Sequence, residues 1–462
     1  MRKWSYRDGT ACADVDECAT GAHDCSPNAT CANEAGSFSC ACNPGYAGDG
    51  AACADVDECA TGAHDCSPNA ACTNQVGSFS CACKLGYEGN GNTCSRIARV
   101  SFGSNHACQI RTDGTLWCWG SNGSGQLGDG TPIATSTPVQ VGTDANWKAI
   151  DSGGSFSCGL RTDGTFWCWG NNSFGTLGDG GWTDSTTPLQ VGADSNWVSL
   201  SLGNGHACAV SLDGTLWCWG RNTWGQVGDG TTTSKTIPTK IGSDTDWASV
   251  ALGHSHSCGL RTNGTLWCWG GNSYGTLGDN STEDKHSPVQ IGSEADWASI
   301  TGGGGHTCGL RTSGALWCWG VNGQGQLGDG TTQNKLSPEK IDGNTDWTVI
   351  DAGQAHTCGV RANGTAWCWG SNRDRQLGDG TKLSKSSPVE IGSNVDWMTL
   401  RAGYSATCAL RQNETLWCWG ATGEGQLGNG VVSPEIYSAP MQIGSNTSWS
   451  KVTGGESHAC AL

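Results

Sequence analysis

The chain is short of most large side chains. Its 462 residues include three methionines, six phenylalanines and six tyrosines. No apolar run approaches the ~20 residues that cross a bilayer as a helix, so no membrane span is expected. The start, Met1-Arg2-Lys3-Trp4-Ser5-Tyr6, lacks the apolar stretch of a secretory leader. From this the chain is expected to be a fragment of a longer one, or to carry a misassigned start. Basic residues are also scarce: 25 Lys and Arg against 42 Asp and Glu, a net charge of −17. Residues 1–96 hold 12 acids and 5 bases, which is −7, and the remainder is −10. Neither part has a basic run, which argues against a nucleic-acid partner, because phosphate binding needs clustered Lys and Arg.

What is abundant is unusual: 73 glycines, 24 tryptophans and 28 cysteines. Glycine in a helix interior costs ~1 kcal/mol, so this composition excludes a mainly helical fold. So many cysteines point to an oxidising compartment, hence an extracellular or cell-surface protein. Thirteen lie in residues 12–94 and fifteen in 108–460.

The N-terminal segment repeats itself with an offset of 41 residues. "DVDECATGAHDCSPNATCANEAGSFSCACNPGYAGDGAAC" starts at Asp14, and a near copy starts at Asp55. Each copy carries six cysteines. About 40 residues cannot bury enough surface to fold unaided, so cross-links must supply the stability, and six cysteines allow 15 pairings. The segment resembles tandem calcium-binding epidermal-growth-factor-like (EGF-like) domains. The resemblance implies the pairs Cys18–Cys31, Cys25–Cys40 and Cys42–Cys53, then Cys59–Cys72, Cys66–Cys81 and Cys83–Cys94.

Calcium takes six to eight hard oxygens. Asp14 and Glu17 precede the first cysteine, and Asn33 follows the third. By resemblance, Asp14, Glu17 and Asn33 supply side-chain oxygens to Ca2+, and Val15, Glu34 and Ser37 supply carbonyls. In the second copy these are Asp55, Glu58 and Asn74, with Val56, Gln75 and Ser78. A solvated acidic turn is the plain alternative for "DVDE". The joint recurrence of the acids, the Asn and the Gly-Ser-Phe favours calcium. Only Ala54 separates Cys53 from Asp55, so a bound ion would stiffen the joint into a short rod. Cys12 belongs to neither copy and reads as the last cysteine of an upstream module.

From residue 97 the chain is periodic. "WCWG" begins at Trp117, 167, 217, 267, 317, 367 and 417, every 50 residues. Such a period with short alternating runs means a propeller with one blade per repeat. Four strands are read per unit: in the unit from Asp246, "WASV", "SCGLRT", "TLWCWG" and "PVQIG". Alternation puts both tryptophans of "TLWCWG" on one face, for packing between blades. The section resembles the regulator-of-chromosome-condensation (RCC1-type) repeat, in its "GxxHxCxL … DGxLWxWGxNxxGQLGDG" form. The fold class is thus all-β: two disulfide-rich modules and a seven-bladed β-propeller. Expected boundaries are 1–12 for an upstream remnant, 14–53 and 55–94 for the modules, 97–448 for the propeller, and 449–462 for a partial eighth repeat.

Each blade has two cysteines ten apart. If three residues close the hairpin, they face one another. Seven bridges are therefore expected: Cys108–Cys118, Cys158–Cys168, Cys208–Cys218, Cys258–Cys268, Cys308–Cys318, Cys358–Cys368 and Cys408–Cys418. A metal at His106 and Cys108 is the rival. It is disfavoured because the histidine becomes Phe156 and Ala406 in two units while both cysteines persist. Cys460 is left over in the partial eighth repeat. The ring could close by completing the seventh blade, or the last strand could start another propeller.

No catalytic constellation stands out, and an enzyme is not expected. Function is expected where the repeats differ. After "WG" the fourth residue is aromatic in three successive units: Phe174, Trp224 and Tyr274. Trp182 adds a fourth aromatic in the other variable loop. Such loop aromatics suit a binding hot spot for a protein or glycan partner. The expected function is an extracellular calcium-binding interaction or adhesion protein. The resemblance keeps two alternatives open: an exchange-factor-like regulator of a small GTPase, or a secreted propeller-type enzyme inhibitor.

Overall fold

A computed structural model describes residues 4–7, 11–66, 70–83, 87–89, 94–96, 99–104, 106–110, 113–194, 196–413, 415–421, 436–442, 452–454 and 459–461. The chain divides into two compact units, Met1–Ile97 and Ala98–Leu462.

In the first unit each 40-residue copy begins with a one-turn helix, Glu17–Thr20 and Glu58–Thr61. Asp16 caps the first by accepting the Ala19 N–H at 2.9 Å, and Gly21 ends it with φ of 70°. A left-handed residue at a helix end is what glycine supplies at no steric cost. A hairpin follows, Ala29–Glu34 with Ser37–Cys42, in the register Cys31↔Cys40. A shorter hairpin closes the copy, Tyr46–Gly48 with Cys53–Asp55. The second copy repeats this order. A further hairpin, Trp4–Arg7 with Ala11–Asp14, precedes the first copy.

The second unit holds seven four-stranded antiparallel blades, each strand beside its sequence neighbour. They span 99–140, 147–190, 197–240, 247–290, 297–340, 347–390 and 397–442 and are called blades 1–7 here. In blade 4 the strands are Trp247–Leu252, His256–Arg261, Leu266–Gly270 and Lys285–Gln290. The fourth strand starts three residues before Pro288, where the sequence pattern placed it. It is the outer edge, where a proline's missing N–H leaves no ladder bond unmade. The hairpin Val452–Gly454 with Ala459–Ala461 packs between blades 7 and 1, with Val452–Gly454 against the first strands of both. Among the described residues, this two-stranded hairpin is what stands between the last blade and the first.

The core lies between blades. In "WCWG" the second tryptophan is buried against the preceding blade. Trp219 Nε1 donates to the Thr176 carbonyl at 2.9 Å, and Trp269 Nε1 to Gln226 at 2.9 Å. This contact requires a glycine. A Cβ on Gly228, at φ of 86°, would stand 2.6 Å from Trp269 Nε1. That is the physical reason for the first glycine of the recurring "GDG".

A second inter-blade contact uses the repeat histidine. His256 Nε2 lies 3.0 Å from Thr307 Oγ1 of the next blade. That hydroxyl donates its own proton to the Thr276 carbonyl at 2.9 Å. The imidazole must therefore donate through Nε2–H and leave Nδ1 bare. The same arrangement joins His106 to Ser157, His206 to Ser257, His306 to Thr357 and His356 to Thr407, at 2.6–2.9 Å. Burial pushes all five histidines down to about 3, so they are neutral at physiological pH.

Candidate functional site

Three features of the structure bear on function. The first is the set of acidic and amide side chains at the start of each small module. Asp14 Oδ1 accepts the Gly36 N–H at 2.5 Å, and Asp14 Oδ2 accepts from Asn33 Nδ2 at 2.8 Å. These bonds hold its carboxyl below the usual range, so it stays charged. They also clip Asp14 and Val15 to the turn that carries Glu34 and Ser37. Glu17, 4% exposed, keeps a buried Oε2 with no hydrogen-bond partner. The second copy matches. Asp55 accepts from Gly77 N–H at 2.5 Å and Asn74 Nδ2 at 2.9 Å, beside the turn of Gln75 and Ser78. Val56 follows Asp55, and its N–H donates to Gly45 O at 3.0 Å. Glu58, 7% exposed, likewise keeps a buried orphan Oε2. A buried carboxylate oxygen without a donor is costly unless a cation meets it, so this donor set fits calcium.

The copies meet at two glycines. A Cβ on Gly77 would come within 2.8 Å of the Tyr46 ring, and one on Gly45 within 2.2 Å of Gly77 O. Tyr46 of the first copy therefore lies against the Gly77 turn of the second.

The ligand atoms of His23, Cys25 and Cys31 also lie within 4.8 Å of one another, as do those of His64, Cys66 and Cys72. Their cysteines are committed to the bridges Cys18–Cys31, Cys25–Cys40, Cys59–Cys72 and Cys66–Cys81, so they have no thiolate to offer. Cys42–Cys53 is also bridged, while the side chains of Cys83 and Cys94 lie outside the described ones. In the propeller, Cys108–Cys118 and its six counterparts are bridged, with Cα–Cα of 4.0–4.1 Å. All fourteen are buried in the blade cores. Cys12 and Cys460 lie on described strands, but their side chains are outside the described ones.

The second feature is the loop aromatics. Phe174 is 38% exposed, Tyr274 57% and Trp182 57%, while Trp224 is half-buried. Arg221 links two of them, with its guanidinium 4.9 Å from the Phe174 centroid and 4.3 Å from that of Trp224. Phe174 reaches from blade 2 onto Gly205 of blade 3, next to Arg221. Tyr274 occupies the equivalent place in blade 4. Among the described residues Trp182 makes no ring contact with these three. Arg221 was not among the residues the sequence singled out. Its signal was the residue after "WG", which is cationic only there.

The third is a central cavity of about 730 Å³, faced by the first strands of the blades. Asp151, Ser201, Ala251, Thr301, Asp351 and Arg401 stand at one level around it. Burial pushes Asp151 up to about 6, against the Ser101 hydroxyl and the Leu202 N–H that hydrogen-bond it. Burial raises Asp351 as well, opposed by the charge of Arg401.

Comparison with known proteins follows these divisions. The RCC1-like domain matches residues 81–402, and the RCC1 repeat matches 413–462. The calcium-binding EGF domain matches residues 14–53 and 55–94. Mouse nidogen-2 is 56% identical over 39 residues, 8% of this chain and 3% of that protein. Rat fibulin-5 is 49% identical over 39 residues, 8% of this chain and 9% of that protein. The chain thus matches less than a tenth of the length of these relatives. Among solved structures, Prp20p of Saccharomyces cerevisiae superposes with a TM-score of 0.65 at 20% identity, covering 75% of this chain and 90% of that one. Human WBSCR16 gives 0.65 at 19% identity, covering 78% and 97%. These two likenesses establish the fold.

Proposed function

The chain belongs to the RCC1-like domain family, and we propose that this member is an extracellular calcium-binding interaction protein. Two calcium-loaded modules precede a bridge-laced propeller that binds a protein or glycan partner through Phe174, Arg221, Trp224 and Tyr274. On this reading it binds rather than catalyses. The observation that carries it recurs in both copies: a glutamate oxygen is buried without a hydrogen-bond partner, and three residues before it an Asp is clipped to the turn that follows the third cysteine. Asp14, Glu17 and Asn33 would hold one ion with the carbonyls of Val15, Glu34 and Ser37. Asp55, Glu58, Asn74, Val56, Gln75 and Ser78 would hold the other. An ion in the second site would fix the turn on which Tyr46 rests, and so stiffen the joint.

Calcium titration by calorimetry tests this. Two sites are expected, and Glu58→Gln should weaken one by about tenfold or more, because affinity follows the ligand charge count. No heat of binding, or no effect of Glu58→Gln, would sink the calcium reading.

The rival is an exchange-factor-like regulator, suggested by Prp20p, whose structure was reported with its binding properties to Gsp1p and histones. A thiol count on denatured, unreduced protein from its native compartment separates the two. Near-complete oxidation supports the extracellular reading, while close to 28 free thiols would favour the intracellular rival.

A further inference from the structure

Among the described residues, six arginines of the propeller each lie over two aromatic rings. Five recur at the end of the second strand: Arg161, Arg261, Arg311, Arg361 and Arg411 lie over two tryptophans of their own blade. Arg261, for example, is 4.9 Å from the Trp247 centroid and 4.2 Å from that of Trp267. Each of the five also pairs with a carboxylate of the preceding connection, as in Arg261–Asp244 at 2.5 Å and Arg411–Asp396 at 2.7 Å. In this aromatic-acidic frame the rings fix the guanidinium and the carboxylate completes it. In blade 3 the frame is closed instead: Ser211 is buried, and Trp197 meets Trp217 edge to face at 6.0 Å.

The sixth arginine is Arg221, over Phe174 of blade 2 and Trp224 of its own blade. It has the two rings and no carboxylate: it makes no ion pair among the described residues. Its Nε donates to Thr223 Oγ1 over a long 3.5 Å. Its two terminal nitrogens make no hydrogen bond there, and they are not buried away from solvent. The carboxylates of the neighbouring loops are already engaged. Asp229 pairs with Lys235 at 2.5 Å and Asp279 with Lys285 at 3.4 Å, and Asp184 Oδ1 accepts the Asn172 N–H at 2.7 Å.

Two more basic side chains gather here, and both are exceptions to the repeat. His286 stands where the other blades have Ser136, Thr186, Thr236, Leu336 and Ser386. It is exposed, and its ring lies against the loop of Trp224: a Cβ on Gly225 would stand 2.5 Å from His286 Cδ2. His254 lines the mouth of the central cavity. The charges of His254 and Arg221 both bear on the buried His206. A chain of net charge −17 thus places three basic side chains together on the loops of blades 3 and 4.

We infer that Arg221 is a binding site for the carboxylate of a glutamate or aspartate side chain on a protein partner, with Phe174 and Trp224 walling the fork and His254 and His286 beside it. This rests on the reading of these loops as a partner-binding surface, and it names the group they recognise. A guanidinium takes a carboxylate through two parallel N–H bonds, and its stacked rings hold the fork ready for it. Phe174 and Trp224 turn their faces to the guanidinium, so they flank an acidic side chain rather than offer a platform to a sugar ring.

The test is ligand-observed saturation-transfer NMR on the full chain with Nα-acetylglutamate amide. A dissociation constant on the order of 10 mM is expected from so small a probe. Nα-acetylglutamine amide, nearly isosteric but neutral, should bind about fivefold more weakly or worse. Arg221→Gln should remove the preference for glutamate. Equal binding of the two amides by the natural chain would overturn the proposal, as would an undiminished preference in Arg221→Gln. Methyl β-D-glucuronide carries its carboxylate on a sugar. Binding of that probe at least about tenfold tighter than glutamate amide, and dependent on Arg221, would replace the protein partner by an acidic glycan. The neutral Nα-acetyltyrosine amide reads the loop surface without the charge. If it binds and weakens in Tyr274→Ala while the two glutamate-type probes bind alike, the carboxylate falls and the surface stands. If neither it nor glutamate amide responds to Tyr274→Ala or Arg221→Gln, the surface falls as well.

Discussion

Two adjacent junctions of the propeller solve the same packing problem differently. Between blades 3 and 4, His206 lies 2.9 Å from Ser257, whose hydroxyl donates to Gln226 O at 2.8 Å. Below them Arg261 fills the space between Trp247 and Trp267. Between blades 2 and 3 the histidine becomes Phe156 and the facing hydroxyl becomes Ala207, both buried in one apolar cluster. The arginine becomes Ser211. The indole bond survives in both, as Trp219 to Thr176 O and Trp269 to Gln226 O, each at 2.9 Å. A polar contact is tolerated in the core only when both members are present. Replacing both at once costs little. The departures are concentrated where the exterior also departs, at Phe174 and Arg221, which meet across this same junction. Fold is kept by the rule of the repeat, and specificity is built where one junction breaks it.

Acid should break the comparison hardest. Each buried histidine is held near 3 when folded, below the 6.5 of an exposed imidazole. The unfolded chain therefore binds more protons below pH 6.5, and stability falls as pH falls through that value toward 3. At pH 5 each of the five costs about 2 kcal/mol, on the order of 10 kcal/mol together. Asp151 has the opposite sign. Its folded value, about 6, exceeds the ordinary 3.8, so its protonation returns roughly 1 kcal/mol at pH 5. Urea unfolding of the propeller at pH 7 and pH 5 should show a large net loss. The pair His256→Phe with Thr307→Ala, which copies the junction of blades 2 and 3, should remove about one fifth of the histidine loss. An unchanged midpoint at pH 5 would mean the histidines are not held neutral.

The sequence made the blades legible because their signals are local. "Thr-Asn-Gly" closes a hairpin and sets Cys258 opposite Cys268, and the second "WCWG" tryptophan alternates inward. The EGF-like cysteine spacing likewise points to Asp14, Glu17 and Asn33. What escaped is what crosses between repeats. His256 meets Thr307, 51 residues on, one more than the period. Nothing in either repeat alone names that partner. The signal was present as a paired exception, Phe156 with Ala207. The missing arginine of blade 3 was equally visible, as "AVSLDG" against "GLRTNG". It gains meaning only once the other five arginines are found between tryptophans. The ring closure was illegible for the same reason. The hairpin Val452–Gly454 with Ala459–Ala461 takes its place from two blades distant in sequence.

The next largest effect comes from exchanging the arginine. Arg261→Ser gives blade 4 the frame of blade 3. It removes two ring contacts and the pairs to Asp244 and Asp246. A loss of about 1–3 kcal/mol is expected, with the ring contacts weighing more than the partly exposed ion pairs. Ser211→Arg, the reverse exchange, must enter a place that Trp197 and Trp217 close edge to face, and should cost about 1–3 kcal/mol. Thermal unfolding of the two variants reads both. Equal and negligible shifts would mean that the arginines decorate the blades rather than brace them.

The smallest effect on stability should come from Phe174. Its ring is 38% exposed and its main partner is the Arg221 guanidinium. Phe174→Ala removes one solvent-facing cation–π contact, about 0.5–1 kcal/mol, and no core contact of the Phe156–Ala207 kind. The same substitution should cost 2 kcal/mol or more of partner affinity if Phe174 anchors a hot spot, roughly a thirtyfold weaker complex. The two numbers separate a binding residue from a bracing one. Affinity that falls far beyond stability marks the loop aromatics as the place where this junction was given over to recognition. A loss of stability that matches or exceeds the loss of affinity would return Phe174 to the packing of blades 2 and 3.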